Sequence, residues 1–89
     1  MSVEIPIDGI LDLHTFAPRD TEAVVNAYLD ACVERGIFEV RIIHGKGLGV
    51  QRRIVAGVLE RRDDVLEVRG GELHEGSWGA TIARLRSRG

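Results

Sequence analysis

Residues 37–60 read IFEVRIIHGKGLGVQRRIVAGVLE, which places a strand, a glycine-rich loop and a helix in succession and decides the fold. Two sets of residues alternate along residues 37–43: Phe38, Val40 and Ile42 against Ile37, Arg41 and Ile43. This alternation and the β-branched content predict a strand that is covered on at least one face. From Val50 the apolar residues recur at helical spacing up to the charged residues at 60–62. A strand followed by such a helix predicts a βαβ unit.

The stretch upstream supplies another strand and helix. ILDLH at residues 10–14 alternates leucines with Asp12 and His14, which predicts a short strand with one buried face. Apolar residues at helical spacing predict a helix over residues 20–35, with Asp20 as its N-cap and Gly36 after its end.

Two further strands are predicted downstream, at residues 65–69 and 81–85. The resulting class is α/β, a βαβαββ two-layer sandwich with a mixed four-stranded sheet and two helices. Helical connections predict parallel pairing of the first three strands, and the loop before the fourth predicts that it is antiparallel. Residues 1–9 are expected to form an N-terminal arm or edge strand, and residues 10–89 a single domain.

Composition narrows the class of protein. A chain of 89 residues with 44% hydrophobic and 29% charged residues predicts one globular domain. Cys32 is the sole cysteine, which excludes an internal disulfide and favours a reducing compartment. The first residues show neither a signal peptide nor a stretch that could span a bilayer, so we expect a cytoplasmic protein with no membrane partner.

Charge is distributed unevenly, although the net charge is only −2. Two segments, residues 40–59 and 76–89, contain basic residues and no acidic ones, so they carry +7 and leave −9 for the rest of the chain. Their cations are Arg41, Lys46, Arg52, Arg53, Arg84, Arg86 and Arg88. The asymmetry indicates one basic face that binds phosphate groups, and the alternative is an ordinary solvated face.

Asp12 and His14 are the first candidate for chemistry, because residues two apart on a strand project from the same face. The carboxylate is then placed to orient the imidazole and to stabilise its charged form, while the imidazole transfers protons near neutral pH. In the alternative interpretation Asp12 caps a turn and His14 ends a strand at the surface.

The second candidate is the loop HGKGLG at residues 44–49, which lies between a strand and a helix. Backbone N–H groups at a helix N-terminus bind anions, and three glycines allow close approach. We assign phosphate binding to this loop and the helix that follows, through Gly45, Lys46, Gly47, Gly49, Arg52 and Arg53. The spacing matches neither the P-loop nor the dinucleotide fingerprint, which argues against ATP and NAD. A bare turn is the alternative.

The two candidates are expected to form one site, because ligands gather at the carboxyl ends of parallel strands. His14 and His44 would serve as base and acid toward a phosphodiester, with Asp12 orienting one of them. Asp12, His14 and His44 are alternatively ligands of a divalent metal such as Mg²⁺, and metal dependence stays open. Trp78 is assigned to stacking on a base, or else to anchoring its loop, and Arg84 to nucleic-acid binding.

Three ordered motifs, Leu11-Asp12-Leu13-His14, residues 44–49 and Gly79-Ala80-Thr81-Ile82, resemble those of the Smr (small MutS-related) family over residues 10–86. The resemblance implies the same βαβαββ sheet, binding of DNA or RNA, and endonuclease or nicking activity in some members. It also implies active and binding roles for Asp12, His14, His44, Gly45, Lys46 and Gly47.

Two positions depart from the family pattern. Thr15 stands where the family commonly has glycine. The last motif of the family usually has a second glycine near G-x-G-A-T, whereas here Trp78 precedes Gly79. Both departures bear on catalysis more than on binding. Three functions are therefore carried forward: a nicking endonuclease connected with DNA repair or recombination, a non-catalytic nucleic-acid-binding module, and a domain that recruits a repair or translation protein.

Overall fold

The computed structural model describes residues 5–45, 49–71 and 79–87, and within them the element order is the expected β-α-β-α-β-β. The elements are β1 (Ile10–Asp12), α1 (Pro18–Glu34), β2 (Glu39–Ile43), α2 (Val50–Arg61), β3 (Val65–Gly70) and β4 (Ala80–Leu85). The four strands form one mixed sheet. The predicted α/β class, with a four-stranded sheet and two helices, is confirmed. Neither described helix is long and apolar enough to cross a membrane.

The strand order is β1-β2-β4-β3, with β1 parallel to β2 and β4 antiparallel to both of its neighbours. The expected pairing of β2 with β3 is therefore wrong, although both strands run in the same direction, because β4 lies between them. Side-chain pattern explains this arrangement. Ile82 and Ala83 of β4 are both buried, which suits a central strand, whereas Leu66 and Val68 of β3 are about half exposed, which suits an edge.

Helix α1 begins at Pro18, two residues before the predicted cap. Ala17 is the N-cap residue in extended conformation, and no side chain caps the helix. Pro18 fits the first helical position because its φ is fixed and its missing N–H would have no helical partner there. Asp20 lies in the first turn, where a negative charge favours the helix dipole. The assignment of Asp20 as N-cap is thus wrong.

The core lies between the sheet and the two helices. Its largest fully buried side chains are Leu11, Leu13, Val25, Leu29, Val40, Ile42, Val55 and Val58. Tyr28 of α1 joins this core and directs its hydroxyl to the segment before β1, where it accepts a hydrogen bond from Gly9 N–H at 3.1 Å. The described part of that segment, residues 5–9, is not a strand. The division of the chain at residue 9 stays a prediction.

A cluster of ion pairs lies where the C-terminal halves of the two helices meet the residue before β3. The Arg62 guanidinium, 14% exposed, donates hydrogen bonds of 2.8 Å to both Asp30 and Asp64. It also bonds the side chain of Asn26 at 3.1 Å. The bonds from Arg62 lower the pKa of Asp64 below its ordinary value. The cluster thus connects the residue after α2, the second half of α1 and the residue before β3.

Candidate functional site

Asp12 and His14 form a pair at the end of β1. The Asp12 carboxylate lies 2.8 Å from Nδ1 of the His14 ring, and the same oxygen accepts the His14 backbone N–H at 3.0 Å. The side chains are 47% and 75% exposed, respectively. The carboxylate therefore fixes Nδ1 as the donor of the neutral ring, which leaves Nε2 with a free lone pair toward solvent. The contact has the geometry of an oriented general base.

The ionisation of Asp12 agrees with this arrangement. Its pKa is lowered, mainly because the backbone N–H of His14 donates to the carboxylate and to a smaller extent because of the His14 ring. Asp12 is thus charged throughout the neutral range. It both closes the turn after β1, as the alternative interpretation expects, and contacts the imidazole.

Gln51 holds the turn that carries His14. From the first turn of α2 its side-chain amide donates to the backbone oxygens of Leu13 at 3.2 Å and Phe16 at 2.9 Å, and it lies 3.2 Å from the Thr21 hydroxyl. One side chain thus connects α2, the turn after β1 and the start of α1. Sequence reasoning missed Gln51, since nothing near it in the chain marks it.

His44 follows β2 and is hydrogen-bonded on both ring nitrogens. Nδ1 lies 3.1 Å from the Gly45 backbone oxygen, and Nε2 lies 2.8 Å from the Thr81 hydroxyl of β4. Because a carbonyl only accepts, Nδ1 carries the proton, and in the neutral ring Nε2 accepts from Thr81. The role of Thr81 was missed, although the Gly79–Ile82 motif contains it.

The glycine loop begins and ends in left-handed backbone. Gly45 has φ +84° and Gly49, the N-cap residue of α2, has φ +82°. No described side chain caps α2, and its first turn contains Arg52 and Arg53 and no acidic residue. Positive charge at a helix N-terminus is unfavourable unless an anion is bound there. The predicted phosphate contacts at Lys46 and Gly47 lie outside the described residues.

The two histidines lie at the same edge of the sheet. Asp12 pairs in register with Ile43, and the Leu13 N–H bonds to the Ile43 oxygen at 2.9 Å, so both chains leave the sheet side by side. They have different partners, however, and no hydrogen bond between the two rings is present among the described residues. Both histidines thus follow the carboxyl ends of paired strands, while the single site and the catalytic roles of Asp12, His14 and His44 stay proposals.

The arrangement of these residues does not fit a shared metal. In residues 5–45, 49–71 and 79–87, no three His, Cys, Asp or Glu side chains are grouped to hold an ion. Nδ1 of His14 and both nitrogens of His44 already have protein partners. These described side chains therefore do not form a Mg²⁺ site.

Arg84 lies away from this edge. It pairs in register with Glu39 at the opposite end of β2, and its guanidinium is 3.9 Å from Glu67. It lies four positions along β4 from Ala80, which is about 13 Å of strand. Its assigned contact with nucleic acid is thus not part of the same cluster, and Trp78 lies outside the described residues.

Residues 11–86 match the sequence profile of the Smr domain, which is most of the chain. The chain belongs to the Smr domain family. Endonuclease MutS2 of Clostridium botulinum is 34% identical to it over 80 residues, 90% of this chain and 10% of that protein. Endonuclease MutS2 of Caldicellulosiruptor saccharolyticus is 37% identical over 83 residues, 93% of this chain and 10% of that protein. This Smr domain thus spans about a tenth of the length of these relatives.

Two solved structures share the fold of this Smr domain. YdaL, a stand-alone small MutS-related protein from Escherichia coli, has a TM-score of 0.85 and 28% identity, and the match covers 94% of this chain and 69% of YdaL. The Smr domain of Thermus thermophilus MutS2 has a TM-score of 0.81 and 27% identity, covering 86% of this chain and 96% of that domain. The resemblance seen in the motifs is thereby confirmed.

Proposed function

We propose that this Smr domain binds the phosphodiester backbone of DNA or RNA at the edge formed by the ends of β1 and β2, and nicks it. The observation that carries the proposal is the 2.8 Å contact between the Asp12 carboxylate and Nδ1 of His14, which leaves Nε2 available as a base. The relatives named Endonuclease MutS2 support the same reaction class. A role in DNA repair or recombination and a cytoplasmic location, which fits the free buried Cys32, belong to this proposal.

In the proposed reaction Nε2 of His14 takes a proton from a water molecule while the oxygen of that water attacks the phosphorus. Asp12 stabilises the imidazolium that forms. A protonated His44 donates to the Thr81 oxygen, and the Thr81 hydroxyl donates its proton to the leaving oxygen. The N-terminus of α2, which no described side chain caps, receives the negative charge of the phosphate, with Arg52 and Arg53 beside it.

Cleavage is tested on supercoiled plasmid and on structured RNA. Asp12→Asn keeps an oxygen that can accept the His14 N–H but cannot stabilise the imidazolium, so nicking should fall by about 10²–10⁴-fold, as it should for His14→Ala. Asp20→Asn, which changes an exposed carboxylate on α1, is the control. Assays in EDTA and in Mg²⁺ measure metal dependence. Nicking that is absent in every condition, or equal in Asp12→Asn and wild type, refutes the catalytic half of the proposal.

Binding is tested separately, by titrating the protein with labelled DNA and RNA over a series of salt concentrations. Replacing both Arg52 and Arg53 by alanine should reduce the salt slope of log K by about 0.9 per lost phosphate contact on duplex DNA. Arg35→Ala is the control, because it removes an arginine at the C-terminal end of α1, outside the proposed binding edge. Binding without cleavage supports the non-catalytic module, and binding that is absent or insensitive to salt refutes the binding half.

A further inference from the structure

Strand β3 forms one edge of the sheet and presents apolar side chains to solvent. It pairs with β4 alone among the described strands, while Leu66 is 47% and Val68 is 48% exposed. Exposed edge strands are ready to pair with another chain. Only the bulge at Leu66, between Val65 and Glu67, interrupts the regular register of this edge.

The backbone of β3 shows which groups face outward. Gly71 N–H donates to the Ala80 oxygen at 3.1 Å, and the register continues from there through Arg69 opposite Ile82. Hydrogen-bonded pairs alternate along an antiparallel ladder, so the next outward-facing backbone groups belong to Gly70 and Val68. The outer edge therefore offers two N–H and two C=O groups in a regular strand.

The charges on β3 are complementary to a second copy of the same strand. Glu67 and Arg69 lie on the helix-free face of the sheet, one residue to either side of Val68. In an antiparallel pair of two copies centred on Val68, each Glu67 stands opposite the Arg69 of the other copy. A register centred on Arg69 would instead place like charges opposite each other, which is unfavourable.

We propose that this domain self-associates as a twofold dimer through antiparallel pairing of β3 with β3 of a second copy, centred on Val68. Such an interface is isologous, and it joins the two sheets into one of eight strands. The existing contacts of Glu67 with Arg84 at 3.9 Å and of Arg69 with Glu39 at 3.7 Å do not oppose it, because long, exposed ion pairs are weak. This inference does not depend on the proposed nuclease activity.

The test is sedimentation equilibrium of the whole chain from micromolar to millimolar concentration. Wild type is expected to show a reversible monomer–dimer equilibrium. Glu67→Arg places two arginines opposite each other twice per dimer, and Arg69→Glu does the same with glutamates, so each should weaken self-association by about tenfold. An equimolar mixture of the two variants restores both opposite-charge pairs, so hetero-association should return to about the wild-type strength.

A backbone variant tests the hydrogen bonds. Val68→Pro removes an outward N–H and none that faces β4, so it should abolish dimers while the circular dichroism spectrum stays that of a folded domain. Val68→Thr keeps the N–H and should still dimerise. A wild type that stays monomeric at millimolar concentration overturns the inference, as does a mixture of the charge variants that associates no better than either alone.

Discussion

The single side chain of Gln51 should contribute about as much stability as a large core contact. Its amide carries two hydrogens and has three acceptors, at 2.9 Å, 3.2 Å and 3.2 Å, so it makes at most two full hydrogen bonds with one shared. Each such bond contributes about 1 kcal/mol net. Gln51→Ala should therefore lower the free energy of unfolding by about 2 kcal/mol, which for a domain of this size lowers Tm by about 8–16 °C.

The measurement is urea unfolding followed by far-UV circular dichroism, with Glu60→Ala at an exposed position of the same helix as control. Gln51→Glu separates the loss of hydrogen bonds from the loss of volume, because a carboxylate of similar size can only accept and would face two carbonyl oxygens. The two carbonyl oxygens raise the pKa of this carboxyl in the folded state, so the destabilisation should shrink as the pH falls from neutral towards the ordinary Glu pKa of about 4.3 and be gone below it, where the protonated carboxyl can donate again.

The reasoning fails if Gln51→Ala changes the free energy of unfolding by less than about 0.5 kcal/mol, the range of an ordinary surface substitution. It also fails if Gln51→Glu is as stable as wild type at neutral pH. A loss of stability should be accompanied by weaker nicking, since the amide holds the turn that follows His14.

Three smaller changes test other parts of the structure. Thr81→Val, which keeps the shape and removes the hydroxyl bonded to His44, should cost about 1 kcal/mol in urea unfolding, and no loss would contradict the bond. Gly49→Ala should cost about 1–2 kcal/mol for its left-handed backbone alone, because nothing lies within 4 Å of the added Cβ. Asp64→Asn should cost about 2 kcal/mol at pH 7. Since pairing with Arg62 lowers the pKa of Asp64, that stability is present above the ordinary carboxyl pKa and is lost as the pH falls through the lowered one. The gap between wild type and variant should close in acid, and a gap that does not change with pH would refute the pair.

Local spacing was enough to predict the contact between Asp12 and His14. The strand expected over residues 10–14 ends at Asp12, however, so His14 lies in the turn that follows, where the Asp12 carboxylate accepts the His14 backbone N–H and contacts the ring. The contact was predictable because it is made between residues two apart, although strand periodicity is not what forms it. The helices were predictable for a similar reason. The 3.6-residue pattern of apolar side chains is local, and Gly36 and Gly49 mark the end of α1 and the start of α2 within two residues. The start of α1 was missed by two residues because Pro18, not Asp20, decides where the helix can begin.

Contacts between distant residues were not predictable, because they depend on the strand order. His44 meets Thr81 across 37 positions, and Gln51 meets Leu13 across 38. Both contacts require the true topology, and the first requires β4 beside β2. A loop connection predicts an antiparallel last strand but does not tell whether it enters at the edge or inside the sheet. The burial of Ile82 and Ala83, on opposite faces of β4, shows that this strand lies inside the sheet, and that burial is known only from the packed structure.

The strand order also changes what the charge asymmetry means. A sum along the chain treats Arg52, Arg53 and Arg84 as one basic face, but antiparallel β4 carries Arg84 away from the edge where α2 begins. There it lies opposite Glu39 in the register, and its guanidinium is 3.9 Å from Glu67. Among the described residues, Arg52 and Arg53 are then the cations assigned to the proposed phosphate-binding edge, so in this proposal long tracts of backbone contribute little to binding. Such an edge suits recognition of one or two phosphates beside His14, the proposed base. The proposed nicking reaction requires contacts of that kind, whereas binding along a duplex without regard to sequence requires many more cations.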